Sequence, residues 1–139
     1  MNGNDFVRIM LMSPLHVLMG NTLLITVTGR RTGRRITAPV NYYRDRDELW
    51  IISTRSRNWW RNVKGGAEVD LRLDGREMKG FADAILDESA VASHIQDYVR
   101  HVRMSARSLG VHVDHGVPNR EDAAGAAKER LFVRICLRS

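Results

Sequence analysis

A single cysteine, three prolines and few aromatic residues set the first limits on this 139-residue chain. One thiol, Cys136, allows no disulfide within the chain, which suits a reducing cytoplasm. Its strand-like neighbours predict a small buried hydrophobe and not a nucleophile. His94, His101, His112 and His115 are loosely spaced with no second cysteine, so no metal site is expected. Long apolar runs are missing too. Phe6 to Met12 and Leu15 to Met19 are too short and interrupted to span a bilayer. Neither a basic n-region nor a small-residue cleavage site precedes them, so no signal peptide is expected. Ser13 and Pro14 read as the N-cap and first position of a helix stopped by Gly20. That segment is expected to pack on the domain as an amphipathic cover, with contact at a membrane periphery as its alternative use.

Acidic residues are outnumbered, 16 Asp and Glu against 22 Lys and Arg, for a formal charge of +6. A basic balance favours an anionic partner. The cations cluster at Arg30 to Arg35 and Arg55 to Lys64, whereas Asp83, Asp87 and Glu88 form an acidic patch. No basic tail, low-complexity arm, zinc-finger spacing or RRM aromatic strand is present. The clustering therefore points to a site and not to nucleic-acid binding.

What the chain does have is alternation. Thr22 to Thr28, Ile36 to Tyr43 and Glu48 to Thr54 predict a three-stranded antiparallel meander with short connections. Asn58 to Val63 reads as a short helix ended by Gly65-Gly66. Ala67 to Leu73 alternates strictly, Asp74-Gly75 signals a hairpin, and Glu77 to Leu86 returns. The period then changes: Val91, Ile95, Tyr98, Val99 and Val102 predict an amphipathic helix from Glu88 to about Ser105. Leu109 to Val117 reads as loop, and Pro118-Asn119 opens a second helix through Arg130. Leu131 to Leu137 closes the chain as a strand. The expected fold is mainly β with helices (α+β), a six-stranded antiparallel barrel forming one domain over residues 1–139.

The most informative stretch is the turn from Thr28 to Asn41, Thr-Gly-Arg-Arg-Thr-Gly-Arg-Arg-Ile-Thr-Ala-Pro-Val-Asn. Gly29 and Gly33 let the backbone turn tightly and approach a ligand. Turn amides can line an anion-binding concavity, and guanidinium forks match phosphate oxygens. This predicts a phosphate cradle between two strands, against the plainer alternative of a solvated basic hairpin tip.

With Trp59-Trp60-Arg61-Asn62-Val63, a second motif follows at a familiar spacing. The chain resembles the deazaflavin-dependent nitroreductase and quinone reductase family, of the split β-barrel, FMN-binding-like superfamily. The resemblance rests on Thr28 to Gly33, Pro39, Ser53 and Trp59 to Val63, and covers Leu23 to Leu86 well. It implies a pocket for coenzyme F420, used as a hydride carrier, with FMN as the alternative cofactor. Residue by residue, it implies that Arg30, Arg31 and Thr32 hold the cofactor phosphate. Thr37, Ala38, Pro39, Val40 and Asn41, with Ile51, Ile52, Ser53 and Thr54, would line the ring, partly through backbone groups. Asn58, Trp59, Trp60, Arg61 and Asn62 would close over it, the two indoles as apolar walls. An electron-poor acceptor, a quinone or a nitroaromatic, would stack on the exposed ring face.

The loop Thr54-Arg55-Ser56-Arg57-Asn58 is shorter and more basic than is usual for the family. Arg55 and Arg57 are thus expected to favour the deazaflavin, whose acidic tail extends beyond its phosphate. The resemblance also implies a homodimer, and the lone cysteine makes the cytoplasm the expected compartment. Plainer roles stand beside these: one tryptophan as a core anchor, Asn62 capping its helix, Ser53 finishing its strand, Tyr98 and His101 as a packed pair. A cofactor carrier without turnover is the non-catalytic reading.

Overall fold

The computed structural model describes residues 21–138, so the expected helix after Ser13 lies outside the described residues. The strands are β1 (Thr22–Thr28), β2 (Arg35–Asp45), β3 (Glu48–Thr54), β4 (Ala67–Leu73) and β5 (Arg76–Ile85). A turn of 3-10 helix, Trp59–Val63, separates β3 from β4. Helix α1 (Glu88–His101) and helix α2 (Ser105–Leu109) follow. A two-residue hairpin, β6 (Val113–Asp114) and β7 (Val117–Pro118), leads into α3 (Arg120–Ala127) and the closing strand β8 (Arg130–Arg138). The six long strands form a closed antiparallel barrel in the order β1-β2-β3-β8-β5-β4.

Alternation builds two cores from one sheet, because successive strand side chains face opposite ways. Leu23, Ile25 and Val27 of β1, Ala38 and Val40 of β2, Leu49 and Ile51 of β3, and Val133 and Ile135 of β8 fill the barrel. The intervening residues Tyr43, Trp50, Ile52 and Phe132 face outward, where α1 and α3 cover them with Val91, Ile95, Tyr98, Val99, Ala123 and Ala127. Helices α1 and α3 are capped by side chains: Asp87 accepts from Ala90 N–H at 3.0 Å and Asn119 from Asp122 N–H at 2.9 Å. Asp83 accepts from Gly65 N–H at 3.1 Å, so two of the three acids in the acidic patch serve the backbone.

Three expectations change. The helix expected to run to Ser105 breaks at Val102, and α2 restarts after it while Ala106 and Leu109 keep to the same core. That shared face is why one periodicity spans two helices. The stretch expected as loop holds a hairpin whose turn, His115-Gly116, has φ of 51° and 78°. Cys136 is exposed and not buried, because it falls on the outward register of β8 beside Arg134.

β3 is bonded unequally on its two edges. Against β8 it pairs along its whole length, from Glu48↔Cys136 to Thr54↔Arg130. Against β2 the ladder runs only from Asp45↔Glu48 to Asn41↔Ile52. β2 continues back to Arg35, still paired with β1, while β3 continues to Thr54. The two strands therefore part beyond Asn41 and Ile52, and the barrel is split there.

Candidate functional site

Backbone geometry decides what the split offers. In an antiparallel strand, alternate residues turn their N–H and C=O to opposite neighbours. Tyr42 N–H donates to Asn21 C=O on the β1 side, so Thr37, Pro39 and Asn41 turn their backbones toward β3. Proline suits this edge because it has no N–H to lose from a ladder. Its carbonyl accepts from Arg57 Nη1 at 3.3 Å, the contact that reaches across the split.

The arginine turn overhangs the same end of the barrel. Gly29 N–H donates to Arg34 C=O at 2.7 Å and Gly33 N–H to Gly29 C=O at 2.8 Å. A Cβ on Gly29 would sit 3.2 Å from Thr32 Oγ1 and 3.3 Å from Arg34 O, and Gly33 has φ of 71°. The left-handed φ favours glycine at Gly33, and at Gly29 a side chain would make the turn tight. Thr32 Oγ1 accepts from Arg34 N–H at 3.2 Å, and Arg30 N–H donates to Asn62 Oδ1 at 3.1 Å. Among the described residues this leaves Arg31 and Thr32 as the turn's free N–H donors, a smaller nest than the sequence suggested. The Arg31 and Arg34 guanidinium groups are exposed and meet no carboxylate among the described residues.

The 3-10 helix closes the barrel mouth against β1, β4 and β5. Both Trp59 and Trp60 are buried in the barrel core, 5% exposed each, where one core anchor was expected. Trp59 Nε1 donates to Ser53 Oγ at 3.2 Å. Trp60 Nε1 is buried without a hydrogen-bond partner, and the Arg61 guanidinium lies 5.0 Å from the Trp60 ring centroid. Asn62 spans two elements: its Oδ1 holds the Arg30 N–H and its Nδ2 donates to Trp59 C=O at 3.1 Å. Arg30 adds a guanidinium bond to Lys64 C=O.

The remaining candidates sort by direction. Ala38 and Val40 point into the barrel and turn their backbones to β1, so they supply spacing only. Ile52 packs under the helices, and Thr37 shares a 2.8 Å hydroxyl bond with Thr26 on the outer wall. That wall carries an 820 Å³ groove between Thr26, Arg35, Thr37, Asp70, Arg72 and Lys79, of which only Thr37 was an expected site residue. Asn41 Oδ1 accepts from Thr22 Oγ1 at 3.3 Å, Thr54 Oγ1 accepts from Ser56 at 3.3 Å, and Asn58 is exposed.

The two loop arginines differ sharply. Arg55 donates to three carbonyls, Arg130 at 2.9 Å, Leu86 at 2.6 Å and Ala127 at 3.3 Å. It caps the C-terminal end of α3, where a cation is favoured, so its expected grip on a cofactor tail is corrected to a clamp. Arg57 is half-buried, and burial lowers its pKa. Sequence reasoning named it in a loop but did not place it at the split, since nothing local signals its burial.

Away from the split, His101 stacks on Tyr43 at 4.3 Å and His94 tilts over Trp50 at 4.5 Å. Burial pushes the Tyr43 phenol up to about 12, with Asp97, Asp45 and Glu48 adding to it. Tyr98 is raised by burial first and by Tyr43 second. These residues form a packed aromatic layer. Among the described residues, no group of three or more His, Cys, Asp or Glu is placed to hold a metal ion, and no helix is long and apolar enough to cross a membrane.

A closed six-stranded barrel parted between two strands, with a basic turn at the opening, places the protein in the split β-barrel fold class. Solved structures agree on the fold. A FAD-binding protein from Mesorhizobium loti shares 13% identity and a TM-score of 0.55, over 93% of this chain and 89% of that one. A Bacteroides thetaiotaomicron protein proposed to act in 5-nitroimidazole antibiotic resistance shares 11% identity and a TM-score of 0.58, over 93% and 80%. The FAD and heme binding protein from Mycobacterium smegmatis shares 13% and 0.52, over 88% and 63%. Residues 11–116 match the profile of the F420H(2)-dependent quinone reductase family, and the chain belongs to that family. A search of curated proteins gave no match.

Proposed function

We propose that the protein binds reduced coenzyme F420 along the split and delivers its hydride to an electron-poor acceptor, a quinone first and a nitroaromatic second. The carrying observation is the interrupted β2–β3 ladder, which frees the backbone of Thr37 and leaves the Pro39 carbonyl to Arg57, beneath arginines that meet no carboxylate. Cations without acids fit an anionic cofactor. The free carbonyl and amide of Thr37 fit a flat heterocycle with hydrogen-bonding edges. When bound, the deazaflavin supplies a two-electron hydride carrier.

The chain's own residues do the rest. Arg31, Arg34 and the Arg31 and Thr32 N–H groups face the phosphate. Arg30 and Asn62 fix the turn on the 3-10 helix, and Trp59, Trp60 and Val63 keep water out of the barrel mouth.

Titration with F420 and, separately, FMN, followed by tryptophan quenching, tests this reading. Preference for F420, and oxidation of F420H2 when a soluble naphthoquinone is added, is the expected result. Preference for FMN would move the protein to the flavin branch of the fold. The same reading takes the protein as a cytoplasmic homodimer. The unpaired Cys136 thiol supports the reducing compartment, and exposed Phe81 on the outer wall supports self-association, checked by light scattering.

A further inference from the structure

Arginine is expensive to withdraw from water unless something anionic compensates it. Most partly engaged arginines here follow that rule. Arg35 pairs with Asp70, Arg134 with Glu48 at 3.1 Å and Arg138 with Glu68, and Arg55 is held by three carbonyls. Arg57 does not. It is half-buried, it spends one N–H on the Pro39 carbonyl at a long 3.3 Å, and no carboxylate lies within ion-pair distance among the described residues. A guanidinium has five N–H donors, so most of this one's capacity is unused.

Its location gives that capacity a direction. Arg57 belongs to the loop leaving β3 and reaches Pro39 on β2, so it lies across the opening where the two strands part. Arg55, two residues earlier, is turned the other way onto α3 and β8. Consecutive odd positions of one loop are thus divided between holding the fold and facing the opening.

We infer that Arg57 is an oxyanion anchor at the split, receiving a phosphate or carboxylate group of the bound ligand. The inference rests on the proposed function for the identity of that ligand, but not for the anion site itself. The oxyanion has two sources, the anionic side chain of the deazaflavin or a carboxylate or sulfonate on the acceptor.

Two measurements test it. Wild type, Arg57→Gln, Arg57→Lys and the charge control Arg76→Gln are titrated with F420 and with a deazaflavin truncated before its phosphate, following tryptophan quenching. Loss of a charge-assisted hydrogen bond is worth about 10- to 100-fold in affinity. Arg57→Gln should lose about that much for F420 and less than about twofold for the truncated compound, with Arg57→Lys recovering part of the loss. If F420 binding is unchanged but KM rises for a sulfonated and not for a neutral naphthoquinone, the anchor serves the acceptor. Equal loss for both deazaflavins, or no change in either assay, overturns the inference.

The second measurement needs no cofactor. The Arg57 Nε–H resonance should shift on titration with inorganic phosphate, while that of Arg55 stays. A silent Arg57 overturns the anion site even if F420 binds. A responsive one in a protein that binds no deazaflavin refutes only the reading of function.

Discussion

The two edges of β3 are built from one sequence and do opposite work. On the β8 side every residue from Glu48 to Thr54 is laddered. On the β2 side pairing stops at Ile52, and the strand that leaves carries Pro39 at the edge. The same backbone chemistry thus closes the barrel on one side and presents unbonded groups on the other. Stability should sit on the zipped edge and ligand affinity on the open one, and substitutions can test whether that division holds.

The largest expected effect is on the zipped side. Phe132, fully buried opposite Ile52, joins β8 to the helical layer. Phe132→Ala should cost about 3–5 kcal/mol in urea unfolding, with F420 affinity unchanged under conditions where the variant is folded. Equal damage to affinity would break the comparison. Next comes Arg55→Gln, which removes a cation shared by three carbonyls and should cost about 1.5–3 kcal/mol, again without changing affinity. Set beside Arg57→Gln, it separates clamp from anchor within a single loop.

Asn62→Ala cuts the bond from Arg30 N–H that ties the arginine turn to the 3-10 helix, and the bond to Trp59 C=O within that helix. About 1 kcal/mol of stability per bond is the usual scale, and F420 affinity should fall about 5-fold because the Arg30 to Arg34 turn keeps only the Arg30 guanidinium bond to Lys64 C=O as its brace. Unchanged affinity would show that the turn holds its shape alone. The smallest effect is a pH slope. Burial holds the His94 pKa below its ordinary 6.5, with Arg134 also lowering it against Asp97. Its contribution is complete above pH 6.5 and is lost as pH falls toward the lowered folded value, because the unfolded chain binds the proton first. The thermal midpoint should decline from pH 7 to pH 5.5, and His94→Gln should flatten part of that decline.

Strands were legible because alternation is a local signal: β1, β3 and β4 fall where the residue pattern puts them. The split was legible only in part. Hydrophobic period says which face a residue takes but not where pairing ends, and Pro39 was the single local hint. Burial of both indoles was hidden because the 3-10 helix enters a barrel mouth, a concavity that embraces adjacent residues. The different fates of Arg55 and Arg57 were hidden altogether. They depend on carbonyls 31 and more residues away in the chain, and on a strand separation that exists only in the assembled barrel.

An unpaired strand edge is a hazard as well as an opportunity, because it can template the addition of a strand from another molecule. Pro39 sits in the middle of this one with no N–H to offer, and its carbonyl is already met by Arg57. Arg31 and Arg34 stand nearby, where their charge repels a second copy of the same edge. The opening is therefore guarded against a foreign strand by the same residues proposed to receive a small anionic guest. Proline at this position thus bears on aggregation as well as on the backbone groups the opening presents.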